Sequence, residues 1–344
     1  MTGKLAVVVT TIQPPTASMR ALAGRLAREG ASLLVVGDAA GPREYDLAGA
    51  RLLSLEAQRS TPFRLARSLP TGHYARKNLG YLQVISEGAG CIYETDDDNH
   101  PLPSWAPRSR TVHSLRVNGI GWTNVYRHFS DELVWPRGFP LDRIHDRQPL
   151  ALGPEEEMEA PIQQGLADGS PDVDAVWRLV LDRDVRFRSA PPVVLPPGSW
   201  CPFNSQSTWW WPEAWPLLYL PSSCSFRMTD IWRSLVAQRC LWELGLGVVF
   251  HAPEVEQARN EHDLVRDLGL EVPGYLGNRR IASLLEGLPL SPGAGAVAGN
   301  LLACHEALVR EGFLEARELP LVRAWLDDLQ PLLDRRLSPS SPPG

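Results

Sequence analysis

The stretch CIYETDDDN, Cys91–Asn99, decides how the rest of the chain is read. Cys91-Ile92-Tyr93 is a short, wholly apolar strand that leads, through Glu94 and Thr95, to three consecutive aspartates. A strand without polar alternation is buried on both faces, as in parallel sheets covered by helices. Carboxylates just beyond such a strand fall where open α/β sheets hold their ligands, at the carboxyl end.

Upstream the pattern repeats. Leu5–Thr10 (LAVVVT) is another apolar run of strand length, followed by the turn-rich Gln13-Pro14-Pro15-Thr16. Ser18 suits the N-cap of a helix over Met19–Glu29, which Gly30 ends. Ser32–Val36 is a second buried strand closing at Gly37-Asp38, and a helical pattern over Tyr74–Glu87 leads back to Cys91. Strands alternating with helices predict an α/β chain with a mostly parallel sheet flanked by helices.

Downstream, residues 100–225 are rich in Pro, Trp and Gly and read as long loops over a functional face, with short pieces such as Val193–Leu195. Thr229–Leu244 is a helix, Gly245–Phe250 a strand, and residues 279–335 are helical. The expected division is 1–275 as the main domain, 276–337 as a C-terminal helical extension, and 338–344 as a Ser/Pro-rich disordered tail.

Composition narrows the function classes. The 344 residues carry 34 Lys+Arg against 40 Asp+Glu, a net charge of −6, so there is no general basic field for nucleic acid. Five cysteines without CxxC spacing argue against a disulfide framework or zinc and for a reducing compartment. No window approaches the ~18 apolar residues of a membrane span. The expected setting is cytoplasmic, and an oligomer is left open. The 31 prolines exclude a long helical bundle.

Three neighbouring aspartates repel one another unless something offsets their charge. Mn²⁺ or Mg²⁺ does so, because hard cations take carboxylate oxygens and share coordination with substrate phosphates. Asp96, Asp97 and Asp98 are therefore the candidate metal ligands, with His251, directly after a strand, as a neutral imidazole to complete the set. A solvated acidic turn is the alternative. Thr10, Thr11 and Gln13 follow the first strand where a nucleotide base or ribose would lie. That loop lacks glycine, which speaks against Walker A and dinucleotide-binding loops. Asp38 is a candidate ribose or base contact or a turn former, and Lys77 and Asn78 are diphosphate contacts or a solvated helix face.

Arg137, in Trp135-Pro136-Arg137-Gly138-Phe139-Pro140, offers a planar fork of donors for phosphate or sugar. Asp172, Asp174 and Asp230 are candidate sugar-hydroxyl acceptors or helix caps. The tryptophans 209–211 and Trp215 are a stacking face or core. There is no HExxH pair and no Gly-x-Ser-x-Gly elbow, so zincin and serine-hydrolase readings lack support.

The segments TTIQPPT (10–16), YETDDDN (93–99), WPRGFPL (135–141), QQGLADGSPDVDAV (163–176), DIWRSLVAQRCLWELG (230–245) and AWLDDL (324–329) resemble, in order, the STELLO family of glycosyltransferases. More distantly they resemble the reversibly glycosylated polypeptides, which act as UDP-arabinopyranose mutases. The resemblance implies a GT-A-like, Rossmann-like sheet, a metal at Asp96–Asp98 (a DXD motif) and a nucleotide-sugar donor, UDP-sugar first, with a sugar or small-molecule acceptor. In the mutase relatives the matching arginine carries the sugar, so Arg137 inherits that role, and His251 falls where those relatives have a histidine. Three readings follow: a metal-dependent glycosyltransferase, a pyranose/furanose mutase acting through Arg137, and a non-catalytic scaffold that retains the fold.

Overall fold

The computed structural model describes residues 4–146, 148–257 and 263–337, so the expected disordered tail lies outside the described residues. Its strands are β1 (Lys4–Thr10), β2 (Ser32–Val36), β3 (Ala50–Leu53), β4 (Ala89–Thr95), β5 (Asn99–Pro101), β6 (Thr111–Val117) and β7 (Gly121–Trp122). They continue with β8 (Leu152–Glu159), β9 (Ile162–Gly169), β10 (Val193–Val194), β11 (Ser199–Trp200), β12 (Ser207–Trp210) and β13 (Val249–Gln257). The α-helices are α1 (Ala17–Glu29), α2 (Leu55–Ser60), α3 (Leu65–Ser68), α4 (Lys77–Ser86) and α5 (Tyr126–Phe129). Then come α6 (Ala175–Val180), α7 (Thr229–Trp242), α8 (Leu264–Glu286), α9 (Val297–Arg310) and α10 (Glu318–Leu337).

One large sheet runs β3-β2-β1-β4-β12-β9-β13-β10-β6-β8, with β5 added beside β13. Its first four strands are parallel; the apolar runs predict β1, β2 and β4, while β3, a short and partly exposed edge strand, is not read from the sequence. β12 then lies antiparallel to both β4 and β9, so the sheet is mixed beyond that point. β12 pairs with β4 as far as Thr95, and the acidic run begins at the next residue, at the carboxyl end of β4.

Alternating side chains divide the core between the two faces. Val7 and Val9 meet Met19, Leu22 and Leu26 of α1, while Ala6 and Val8 face α4 and the C-terminal helices. The N-cap of α1 is Thr16, whose hydroxyl accepts from Met19 N, rather than Ser18. α4 comes unusually close to the sheet because Gly80 has no side chain. A Cβ there would stand 2.5 Å from Val36 and 2.7 Å from Val8.

The C-terminal helices close the same core. Trp325 and Leu329 are buried, and the Asp328 carboxylate accepts from Arg64 N and Leu65 N, both at 2.9 Å. α8 runs unbroken through residues 275 and 276. No helix among the described residues is long and apolar enough to cross a membrane.

Candidate active site

The acidic run is tied down on three sides. Asp96 Oδ1 accepts from the Tyr74 hydroxyl at 2.8 Å and from Lys77 Nζ at 3.4 Å. Lys77 is fully buried and also donates to the Thr95 carbonyl at 2.9 Å, so it is a fixed counter-charge under the strand end. Asp97 turns toward the β1–α1 loop, where its carboxylate accepts from Thr11, and its carbonyl accepts from Thr16 at 2.5 Å. Asp98 Oδ2 accepts from Gln257 Nε2 at 2.8 Å. Loss of solvent raises the Asp96 pKa, against the pull of Lys77 and Tyr74. Burial, then repulsion from Asp96, pushes Asp98 up to about 7.

Beside them lies a cavity of about 110 Å³ whose walls include Asp96, Arg137, Asp172, Asp230, Arg227 and Gln257. Gly138, at φ +87, makes the turn that sends Arg137 inward, and a Cβ on it would meet Ile231 at 2.5 Å. Arg137 then grips both aspartates. Nε and Nη2 donate to Asp172 at 2.7 and 2.8 Å, and Nη1 and Nη2 donate to Asp230 at 3.1 and 3.0 Å. A further Nη1 bond goes to the Arg227 carbonyl, so all five N–H donors are engaged. Burial opposes the charge, but Asp172 and Asp230 outweigh it and hold the guanidinium well above its ordinary pKa. Asp230 is likewise desolvated, yet Arg137 keeps its pKa below the usual value. Arg137 and Asp230 thus hold each other in their charged forms at the cavity wall.

Sequence expectation and geometry part company at several residues. Asp174 is not in the clamp: it caps α6 by accepting from Trp177 N at 2.8 Å and takes the Trp135 indole N–H at 2.6 Å. Asn78 does not reach a phosphate site, because both ends of its amide are bonded to the Leu220 backbone at 2.9 Å. His251 is not beside the acidic run. β13 continues through Gln257, so His251 sits six positions before the residue that touches Asp98, with its ring held by Gln163 and Arg108. The tryptophans 209, 210, 211 and 215 are all buried and form core rather than an open stacking face.

Asp38 holds a neighbouring loop, accepting from Gly72 N and His73 N at 2.8 Å each. Thr11 faces Asp97, the Thr10 hydroxyl is buried without a hydrogen-bond partner, and Gln13 is exposed on the same loop. Among the described residues no group of three or more His, Cys, Asp and Glu is arranged as a ready-made metal site.

Sequence reasoning missed several members. Tyr74 lies one turn before Lys77, a helical spacing that could have flagged it. Gln257 and Arg227 have no local signal. Below the site, Glu94 and Arg233 form a fully buried pair at 2.7 and 3.0 Å, joining the strand that leads to Asp96 to the helix that carries Asp230.

A sequence profile of the STELLO glycosyltransferases matches residues 227–335, the stretch from Arg227 through α10. "Probable glycosyltransferase STELLO1" of Arabidopsis thaliana is 30% identical over 356 residues, covering 94% of this chain. Over most of its length this chain is similar to the STELLO glycosyltransferases. STELLO2 of the same plant is 28% identical, again over 94% of the chain. In both cases the match spans 44% of the plant protein, so the chain accounts for less than half the length of these STELLO relatives. Among solved structures, glucosyl-3-phosphoglycerate synthase from Mycobacterium tuberculosis in complex with phosphoglyceric acid overlaps at TM-score 0.39 and 11% identity, covering 80% of each chain. A second structure of that synthase gives TM-score 0.38, 10% identity and the same coverage. Overlap at that level says nothing of substrate.

Proposed function

We propose that this chain is a glycosyltransferase that takes a nucleotide sugar, with a UDP-sugar the first choice, and passes the sugar to an acceptor. The observation that carries this is the shared cavity. Asp96, at the carboxyl end of β4, and the Arg137–Asp172–Asp230 clamp line one chamber. In this reading Asp172 and Asp230 accept hydrogen bonds from sugar hydroxyls, and Arg137 holds both carboxylates in place. Thr10, Thr11, Gln13 and Asp38 border the nucleoside side. Residues to 275 would form the donor-binding body, with 276–337 as its helical support.

The carboxylates fit a hard divalent cation, since Asp96 and Asp98 are oxygen donors whose basicity is raised by burial. Asp96 and Asp98 would hold Mn²⁺ or Mg²⁺ together with the donor's phosphates, and the ion would supply charge neutralisation for the departing diphosphate. Asp97 is engaged by Thr11 and braces the loop. The mutase reading asks Arg137 to act as a nucleophile. A guanidinium held well above its ordinary pKa with every N–H engaged has no lone pair to offer, and this favours transfer.

A thermal-shift screen of nucleotide sugars with and without Mn²⁺ tests the proposal, because a ligand that binds only the native state raises Tm by mass action. The expected result is a rise that needs donor and metal together and is lost in Asp96→Asn and Asp98→Asn. If no donor shifts Tm, the scaffold reading replaces this one. Intact mass after donor incubation separates the two chemistries: an adduct lost in Arg137→Ala would establish the mutase route.

A further inference from the structure

The Tyr74 hydroxyl joins the acidic run to the arginine clamp. It stands 2.8 Å from Asp96 Oδ1 and 2.7 Å from both Lys77 Nζ and Ser205 Oγ. An ammonium group only donates and an ionised carboxylate only accepts, which fixes the direction of each bond. Lys77 donates to the Tyr74 oxygen, and Tyr74 gives its own proton to Asp96. With that proton spent, Ser205 is the donor at its contact with Tyr74, and both lone pairs of the phenol oxygen are filled. The backbone N of Ser205 donates in turn to Asp230 Oδ2 at 3.3 Å, so one chain of bonds runs from Asp96 through Tyr74 and Ser205 to Asp230.

This arrangement makes the two Asp96 oxygens unequal. Oδ1 accepts from Tyr74 at 2.8 Å and from Lys77 at 3.4 Å, while among the described residues no donor reaches Oδ2. The Asp96 side chain is 32% exposed and stands in the cavity wall, so Oδ2 is open to a ligand there. Of the two bonds on Oδ1, the one from Tyr74 has the ordinary hydrogen-bond length, and it sets how the carboxylate is turned. Lys77 is committed elsewhere as well, to Tyr74 and the Thr95 carbonyl, and cannot follow Asp96 if the carboxylate rotates. The Tyr74 ring is itself held by packing, with Phe226 edge-on at 6.0 Å and Lys77 Nζ 4.9 Å from the ring centre.

We propose that Tyr74 is a positioning residue for the donor's metal: its hydroxyl turns the Asp96 carboxylate so that Oδ2 alone is offered to the ion. The inference rests on the proposed function, in which Asp96 holds Mn²⁺ or Mg²⁺. A carboxylate fixed in this way gives a single oxygen, which suits a small octahedral ion. Ca²⁺ takes more oxygens, often both from one carboxylate. Freed from Tyr74, Asp96 can rotate and offer both.

Mn²⁺ binding tests this, followed by loss of the free ion's paramagnetic resonance signal and competed with Ca²⁺, in the unaltered chain, Tyr74→Phe and Asp96→Asn. The unaltered chain should take Mn²⁺ at least about tenfold more tightly than Ca²⁺. Tyr74→Phe keeps the ring and its packing. It should weaken Mn²⁺ about tenfold and narrow the preference over Ca²⁺, because removing the hydrogen-bond partner of a metal ligand commonly has that effect. Equal weakening of both ions in Tyr74→Phe, or no weakening, would overturn the inference and leave the proposed function in place. Equal affinity for the two ions in the unaltered chain would overturn it too, and that measurement needs no variant to fold. If the unaltered chain takes no Mn²⁺, or Asp96→Asn binds it undiminished, the metal reading fails and this inference fails with it.

Discussion

Replacing Arg233 by Met isolates the buried joint beneath the candidate active site. The Glu94 and Arg233 side chains are 0% and 1% exposed and make two bonds to each other. Glu94 also accepts from the Tyr81 hydroxyl and, at 2.8 Å, from the Trp210 indole. In Arg233→Met those two neutral donors remain while the fully buried carboxylate loses its counter-ion. Breaking one side of a buried pair destabilises by about 3–5 kcal/mol. Glu94→Gln/Arg233→Met removes the stranded charge and keeps an acceptor for Tyr81 and Trp210, so most of that loss should return. Urea unfolding followed by tryptophan fluorescence measures both. The single variant should also recover as pH falls from 8 to 5, because the folded state relieves the stranded charge by taking up a proton that the unfolded chain does not hold there. A loss below about 1 kcal/mol in Arg233→Met, or a double variant no better than the single, would refute the reasoning.

Burial pushes Asp174 up to about 7 against the bonds from Trp177 and Trp135, whereas an unfolded aspartate titrates near 3.9. The folded form thus keeps a proton that the unfolded form releases, and stability from this group is present below about pH 4 and declines as pH rises toward 7, by up to about 1.4 kcal/mol per unit. Asp174→Asn should flatten that slope in urea titrations across the window. Gly80→Ala should destabilise by about 1–3 kcal/mol in the same assay, since the new methyl group meets Val36 and Val8 at 2.5 and 2.7 Å. Glu271→Gln should weaken donor binding severalfold in the thermal-shift assay with little change in fold. It removes the charge that holds Arg227 at 2.8–2.9 Å in the cavity wall while leaving an acceptor for Ala175 N.

The N-terminal strands and the acidic run were legible because their signals are local. An uninterrupted apolar run followed by a turn reads the same before and after folding. Arg137, Asp172 and Asp230 were each legible as candidates, yet their union was not, since the partners lie 35 and 93 positions from Arg137. The region 100–225 hid β8 and β9 for opposite reasons. β8 is an exposed edge strand carrying Glu155, Glu156, Glu157 and Glu159, so it shows no apolar alternation. β9 buries polar residues instead: Gln163 and Gln164 bond their amides to neighbouring carbonyls, where a sequence reader expects solvent. His251 was misplaced because the strand it was thought to follow continues past it through a bulge, which alternation cannot anticipate.

The attachment of α10 sets an order of events during synthesis. Asp328 supplies acceptors to backbone donors 264 and 263 positions earlier, and Glu318, wholly buried, accepts from the Tyr219 hydroxyl and from Ser222 N and Ser223 N. Until those carboxylates have left the ribosome, the amides of residues 64 and 65 and of the 219–223 turn have no acceptor there, and the apolar surface under Trp325 stays wet. A nascent chain from which α10 has yet to emerge would therefore wait, sticky and incomplete, for that helix, a natural client for chaperones at the exit tunnel.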